Sequence, residues 1–245
     1  MKCLILAAGY ATRLYPLTEN FPKPLLTVGE KTILDRLLDD IDSCGLVDGY
    51  ILVTNHKFAD LFRRWAEGRA IPVTVVDDGT STNETRLGAV RDMLFALETT
   101  RTDDDLLVIA GDNLLDFSLT GFIRYALEKD ASCTMRYRES DPKRLRKSGV
   151  SETDADGRLV SLEEKPAEPK SEWCTPPFYF YKAEDAAKIK DAIADGCGTD
   201  APGSLAAWMC RHAVMYSMEM PGSRYDIGDA ASYESVKKTY KGITR

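Results

Sequence analysis

The chain has 245 residues, a formal net charge of −7, 44% hydrophobic residues and 29% charged residues. That length suits one large domain with a real core, and the apolar fraction argues against disorder. The acidic balance argues against non-specific binding to nucleic acid or an anionic membrane, so a polyphosphate ligand would need local cations or a metal. The first apolar run, Cys3 to Ala8, is ended by Gly9. It is too short for a membrane span or a signal-peptide core, which makes a cytoplasmic protein the expectation. None of the six cysteines forms a C-x-x-C pair or a zinc-ligand pattern. Free, mostly buried thiols in a reducing compartment are therefore expected. His56 and His212 are the only histidines, and neither context suggests a hydrolase nucleophile.

In chain order, Cys3–Ala7 reads as a strand buried on both faces. Lys31–Cys44 carries Ile33, Leu34, Leu37, Leu38 and Ile41 on one helical stripe, and Gly45 is a stop signal. Strands at 50–53, 71–76, 106–110 and 132–137 alternate with helices at 58–67, 87–98 and 119–129. This βα alternation predicts an α/β fold: a mostly parallel, twisted sheet with helices on both faces. The segment from Asp141 to about Pro177 is polar, with short strands at 149–152 and 159–163. An aromatic strand, 178–181, is followed by one helix over 183–194, a glycine-rich turn over 196–203, a helix over 204–211, a strand over 214–218 and a closing helix over 230–240.

Two loops carry chemistry. Small residues at Ala7, Ala8 and Gly9 let a ligand approach the backbone at the carboxyl end of the first strand, where open α/β sheets bind ligands. Backbone N–H groups there can cradle an anion, and Arg13 adds a forked cation. The loop is neither a G-x-G-x-x-G turn nor a P-loop, since Ala11 and Leu14 replace glycines and no G-K-[ST] follows. Ten residues further on, Pro22-Lys23-Pro24 holds a lysine between two prolines, which restricts the backbone and aims the ammonium.

The run Ala7-Ala8-Gly9-Tyr10-Ala11-Thr12-Arg13-Leu14-Tyr15-Pro16-Leu17-Thr18, followed by Pro22-Lys23-Pro24-Leu25, resembles the N-terminal signature of the sugar-1-phosphate nucleotidyltransferases. Gly111-Asp112-Asn113, Glu164-Lys165-Pro166 and Tyr225-Asp226-Ile227-Gly228 resemble that family's later landmarks, in the same order. The resemblance implies a Rossmann-like three-layer α/β/α fold of the nucleotide-diphospho-sugar transferase type, with a mostly parallel mixed sheet. It also implies a single catalytic domain over 1–245 without an appended module. Residues 1–135 would form its nucleotide-binding half and 136–245 its sugar-phosphate-binding half. The implied reaction joins an NTP, dTTP or UTP, to a sugar 1-phosphate and releases pyrophosphate. By the same resemblance Mg²⁺ is held by Asp112 and Asp226, Arg13 meets the β- and γ-phosphates, and Lys23 meets the α-phosphate. The nucleotide is further lined by Leu6, Ala8, Gly9, Thr12, Asn83, Gly88 and Asp112. Gly149, Glu164, Lys165 and Tyr179 take the sugar phosphate.

Two positions depart from the family pattern. Ala11 stands where a second glycine is usual, which requires φ < 0 or a displaced backbone. Asn83 stands where thymidylyltransferases carry glutamine, with the same amide groups on a shorter stem. The alternative acceptor is choline phosphate or another phosphorylated alcohol with CTP, which would use a cage from Trp173, Tyr179, Tyr181 and Tyr225. A non-catalytic nucleotide-sugar sensor is disfavoured because Arg13, Lys23, Asp112, Lys165 and Asp226 are all present. Leu205, Trp208 and Met209 could serve a homo-oligomer interface or the core equally well.

Overall fold

A computed structural model describes residues 1–243. The chain divides into two compact units that interleave in sequence. One holds residues 1–86, 110–120 and the chain from Pro221 onward, and the other holds 87–109 and 121–220. Compactness therefore does not divide the chain at residue 135.

In the first unit, β1 (Lys2–Leu6), β2 (Thr27–Val28), β3 (Lys31–Thr32), α1 (Ile33–Asp42), β4 (Gly49–Thr54), α2 (Ala59–Ala66) and β5 (Val73–Asp77) follow one another. β1, β4 and β5 pair in parallel, with Leu6 opposite Val53 and Val53 opposite Val76. Every residue of β4 is buried, as expected for a strand covered on both faces. The predicted helix from Lys31 begins later, at Ile33. Thr32 caps it through a reciprocal box with Asp35, while Lys31 and Thr32 pair with the short strand before them.

The chain then forms α3 (Ala89–Thr100) and β6 (Leu106–Ala110), β7 (Leu114–Leu115) in the first unit, and α4 (Thr120–Lys129) and β8 (Ser132–Arg138). The second unit continues with α5 (Pro142–Leu145), β9 (Gly149–Thr153), β10 (Leu159–Glu164), β11 (Trp173–Thr175), β12 (Phe178–Tyr181), α6 (Ala183–Ala186), α7 (Ile189–Ala194), α8 (Pro202–His212) and β13 (Met215–Glu219). β14 (Arg224–Tyr225) and α9 (Ala230–Thr239) return to the first unit. In the second unit most pairings are antiparallel, including β12 with β6 and β8, while β13 runs parallel to β8. The sheet content is thus mixed.

Three readings of the periodicity are refined. The helix expected over 183–194 is broken into α6 and α7. The buried Asp185 carboxylate accepts from Ser132 Oγ at 2.5 Å and from Lys188 Nζ at 2.7 Å, an anchor no helical pattern records. β11 was read as part of a polar stretch, yet Cys174 is fully buried between β8 and β9. Leu205 and Met209 are fully buried and Trp208 is 6% exposed, so this face of α8 is core and offers no interface. Cys3, Cys133 and Cys174 are buried and the other three cysteines half-buried, all as free thiols. No helix among the described residues is long and apolar enough to cross a membrane.

Candidate functional site

The first unit builds its site at the carboxyl ends of parallel strands. The ladder continues past β1, with Ala7 N donating to Val53 O at 2.9 Å. Beyond that, Asn55 takes over: its Nδ2 donates to Ala8 O at 3.0 Å and its Oδ1 accepts from Phe58 N at 3.2 Å. Asn55 is fully buried and clamps the phosphate-type loop from the next strand. Its only sequence signal was a polar residue closing an apolar strand. Leu6 is half-buried and Ala8 nearly buried, while Gly9, Thr12 and Arg13 are exposed along the loop.

Ala11 does not take the first of its two expected conformations. It adopts φ +46°, ψ +43°, in the left-handed region rather than at φ < 0. The conformation is held because its carbonyl accepts from Leu14 N at 2.9 Å and from Thr18 Oγ1 at 2.8 Å. A non-glycine residue there costs about 1–2 kcal/mol, partly offset by the backbone entropy that glycine would lose. Ala11→Gly is expected to raise Tm by roughly 2–4 °C, equivalent to about 1 kcal/mol. A thermal melt showing a lower Tm would contradict this account.

Lys23 lies in a 3₁₀ turn entered through Pro22, is 9% exposed, and donates from Nζ to Asp112 Oδ2 at 2.7 Å. Asp112 follows Gly111, whose N–H donates to Leu6 O at 3.0 Å and ties this turn to the end of β1. Burial works to raise the Asp112 carboxyl, but the charge and hydrogen bond of Lys23, with the charge of Arg224, outweigh it and hold it below the usual range. Arg224 itself donates to Asn113 Oδ1 at 3.1 Å.

Asp226 reaches the same place by a ribbon. β14 pairs antiparallel with β7, with Tyr225 opposite Leu114. Asp226 leaves that ribbon at the end where Asp112 and Asn113 enter it. Arg13 Nη1 and Asp226 Oδ2 each lie 3.7 Å from where a side chain at Gly228 would begin. Residues 13, 23, 112 and 226 are thus gathered in one unit. Beneath them, Leu14, Val28, Ile33, Leu114, Ile227 and Tyr233 form a shared cluster. Asn83 is half-buried in the loop after β5, and its Oδ1 and backbone carbonyl both accept from Arg86 Nη1.

The second unit assembles another set. Glu164 ends β10 opposite Gly149 of β9. Its Oε2 stands 3.1 Å from where a side chain at Gly149 would begin, and 2.0 Å from the same point at Gly203. Gly203 is the second residue of α8, so the carboxylate rests against a helix N-terminus. Burial pushes the Glu164 carboxyl up, against a weaker pull from Lys165. Lys165 Nζ is 4.0 Å from Glu164 Oε1 and is exposed. Its backbone is left-handed, φ +50°, directly before Pro166, and its N–H donates to Ser148 O at 3.0 Å. Such a conformation costs about 1–3 kcal/mol, strain that accumulates at functional positions. The glycine-rich loop over 196–204 that holds Gly203 reads in the sequence as a lining of the acceptor pocket, without singling this residue out.

Comparison with known proteins now bears on this geometry. Residues 2–242 match the family model described as nucleotidyl transferase. The chain belongs to the nucleotidyl transferase family. It is 29% identical to a glucose-1-phosphate thymidylyltransferase of Streptomyces antibioticus, over 98% of this chain and 66% of that protein. It is 26% identical to a UTP–glucose-1-phosphate uridylyltransferase of Synechocystis, over 95% of this chain and 61% of that protein. The chain thus spans about two thirds of the length of these relatives or less. A UDP-glucose pyrophosphorylase solved with UDP-glucose superposes with a TM-score of 0.81 at 18% identity, covering 98% of this chain and 97% of that one. The α/β, Rossmann-like fold class is therefore shared.

Within this family member, some sequence-derived site residues have other duties. Tyr179 is 2% exposed and its ring stacks on Tyr181 at 5.9 Å, so it offers no free face to a sugar. Its hydroxyl approaches the Glu164 position, 3.4 Å from the side-chain origin at Gly203. Two candidates for the alternative aromatic cage have other partners: Trp173 lies under the Arg136 guanidinium at 4.4 Å, and Tyr225, in the first unit, packs edge-on against Tyr240. His212 Nδ1 donates to Trp208 O of its own helix, and His56 pairs with Asp77.

Gly88 is bound to its place by the backbone. It has φ +90°, ψ 152°, and a side chain there would begin 2.5 Å from Thr199 O. The close approach lets Ala89 N donate to Asp200 O and Val90 N donate to Thr199 O. Gly88→Ala is expected to lower Tm by roughly 5–10 °C, from backbone strain of about 1–3 kcal/mol plus the steric contact. An unchanged melting curve would remove this role.

Proposed function

We propose that the protein transfers a nucleotidyl group from an NTP, dTTP or UTP, to a sugar 1-phosphate with Mg²⁺, giving an NDP-sugar and pyrophosphate. The observation that carries this reading is the convergence of Arg13, Lys23, Asp112 and Asp226 from three distant segments beside the loop after β1. The names of the relatives, thymidylyl- and uridylyltransferases of glucose 1-phosphate, support the choice of substrates. Residues 1–135 and 136–245 remain the proposed nucleotide-binding and sugar-phosphate-binding halves.

The donor set fits Mg²⁺. Asp112 and Asp226 offer hard carboxylate oxygens at one end of the β7–β14 ribbon, and Mg²⁺ is usually held by one or two carboxylates plus substrate phosphates. When bound, the ion would neutralise phosphate charge. In the reaction, an oxygen of the sugar phosphate forms a bond to the α-phosphorus and the bond to the bridging pyrophosphate oxygen breaks, its electron pair leaving with pyrophosphate. The attacking phosphate has a second pKa of about 6, so no general base is required. Positioning and charge stabilisation do the work.

Arg13 is proposed to meet the β- and γ-phosphates and Lys23 the α-phosphate, where charge develops. Leu6, Ala8, Gly9 and Thr12 supply the backbone wall, and Asn83 the amide for the base; Gly88 is proposed among the nucleotide-binding residues. Lys165 is proposed to meet the acceptor phosphate, and Glu164, beside Gly149 and the Tyr179 hydroxyl, the sugar hydroxyls. Pyrophosphate release measured with dTTP, UTP and CTP against a panel of sugar 1-phosphates and choline phosphate tests the reading. Release with dTTP or UTP and a sugar 1-phosphate is expected; no release from any such pair would overturn it.

A further inference from the structure

The direct bond between Lys23 and Asp112 has a consequence for how the site fills. Lys23 Nζ donates to Asp112 Oδ2 at 2.7 Å. The lysine side chain is 11% exposed, whereas that of Asp112 is 40% exposed. The cation is thus the more deeply buried partner, and the carboxylate is half-buried. Under the proposed function both groups have other destinations: Asp112 a divalent cation, Lys23 the α-phosphate. The ammonium now sits on Oδ2, one of the two carboxylate oxygens open to a metal ion, and its charge opposes a cation at either.

We infer that Lys23 is an internal stand-in for the metal, closing Asp112 to a free divalent cation until a nucleotide offers Lys23 a new partner. The physical reason is the cost of an unpaired buried charge. A bare cation that takes Asp112 strands Lys23 in a poorly solvated turn, where breaking such a pair is strongly unfavourable. A cation that arrives with a triphosphate brings phosphate oxygens that re-pair the ammonium, so no charge is left alone. The rigid Pro22-Lys23-Pro24 turn keeps the ammonium from escaping to bulk water, with Leu25 N and Leu26 N bonded back to Pro22 O and Lys23 O. Metal and nucleotide binding are coupled through this one lysine, a linkage that holds in both directions.

The inference rests on the proposed function for the identity of the ligands, but its test does not require turnover. Mn²⁺ is titrated into the full chain without nucleotide, and free Mn²⁺ is read by electron paramagnetic resonance. Lys23→Met is expected to bind Mn²⁺ at least ~10-fold more tightly than the unmodified protein, a coupling of ordinary allosteric size. Adding Asp112→Asn to that variant should abolish the gain. Arg224→Gln removes a cation whose charge reaches Asp112 but which bonds Asn113 instead; it should change affinity less than ~3-fold, well below the gated effect.

Lys23→Gln provides a second variant should Lys23→Met fold poorly, with folding checked by circular dichroism. Mn²⁺ affinity in the Lys23 variants no higher than in the unmodified protein would overturn the inference. So would an equal gain in Arg224→Gln, which would mean that general charge, not occupancy of the carboxylate, sets the affinity. Pyrophosphate release without the Mn²⁺ gain would leave the proposed reaction standing and remove the gate. The gain without pyrophosphate release would do the reverse.

Discussion

Asp112→Asn should lower pyrophosphate release by roughly 10³-fold or more while leaving the protein folded. Losing a single group that stabilises transition-state charge costs about 10²–10³ in rate, and under the proposed function Asp112 serves both the cation and Lys23. The amide keeps an oxygen that can accept from Lys23 Nζ, so the hydrogen bond survives and the charge pairing does not. The side chain of Lys23 is 11% exposed, so the loss of its counter-charge should cost about 1–3 kcal/mol of stability.

The pH dependence carries its own sign. The Asp112 carboxyl is held below its ordinary range in the folded protein. Its contribution is therefore full above the unfolded value of about 4, and it is lost as the pH falls through the lowered folded value. In Asp112→Asn that part of the acid sensitivity should disappear. Melting curves over acidic pH and a pyrophosphate assay check both parts, and near-normal turnover in the variant would remove Asp112 from the reaction.

Gly203→Ala should act on the acceptor alone. A side chain at Gly203 would begin 2.0 Å from Glu164 Oε2, so the carboxylate must leave its place. The obstacle is the far end of a flexible side chain, which can swing away, and Gly203 lies within a helix where alanine is the better former. Stability should hence change by less than about 1 kcal/mol. The KM for the sugar 1-phosphate should rise roughly 10- to 100-fold, as expected when about 1.4–2.7 kcal/mol of binding is lost, while the KM for the NTP stays within twofold. Equal effects on both substrates would show that Glu164 does not serve the acceptor.

The two variants address the two ends of what a sequence can carry. Asp112 stood out because Gly111-Asp112-Asn113, after a continuous apolar strand, resembles a landmark of the family. Gly203 gave no comparable signal. Its importance lies in a carboxylate thirty-nine residues earlier in the chain, and only the packing of β10 against α8 places that group over it. Asn55 is similar: its amide is spent on Ala8, a residue of another strand's loop. Ala11 was legible as a departure, but the sign of its φ was not, because hydrogen bonds from Thr18 and Leu14 hold it in the left-handed region.

The aromatic residues teach the converse. Trp173, Tyr179, Tyr181 and Tyr225 have the composition of a cage, and composition alone cannot say which faces are free. Burial of the β12 tyrosines and the partners Arg136 and Tyr240 occupy those faces.

By itself the sequence determined the α/β alternation, the anion-binding loop and the spaced landmarks around Arg13, Lys23, Asp112, Glu164 and Asp226. The alternation and the loop rest on short-range patterns: apolar periodicity, small residues at strand ends, and prolines around a lysine; Asp112, Glu164 and Asp226 rest on the resemblance to the family's landmarks. Only the tertiary structure decided which groups hold one another. The Lys23–Asp112 bond spans 89 residues, and the ribbon that brings Asp226 beside Asp112 joins segments more than a hundred apart. Hydrogen bonds and charge pairs act over a few ångströms in space, so their partners are set by the folded chain and not by its order.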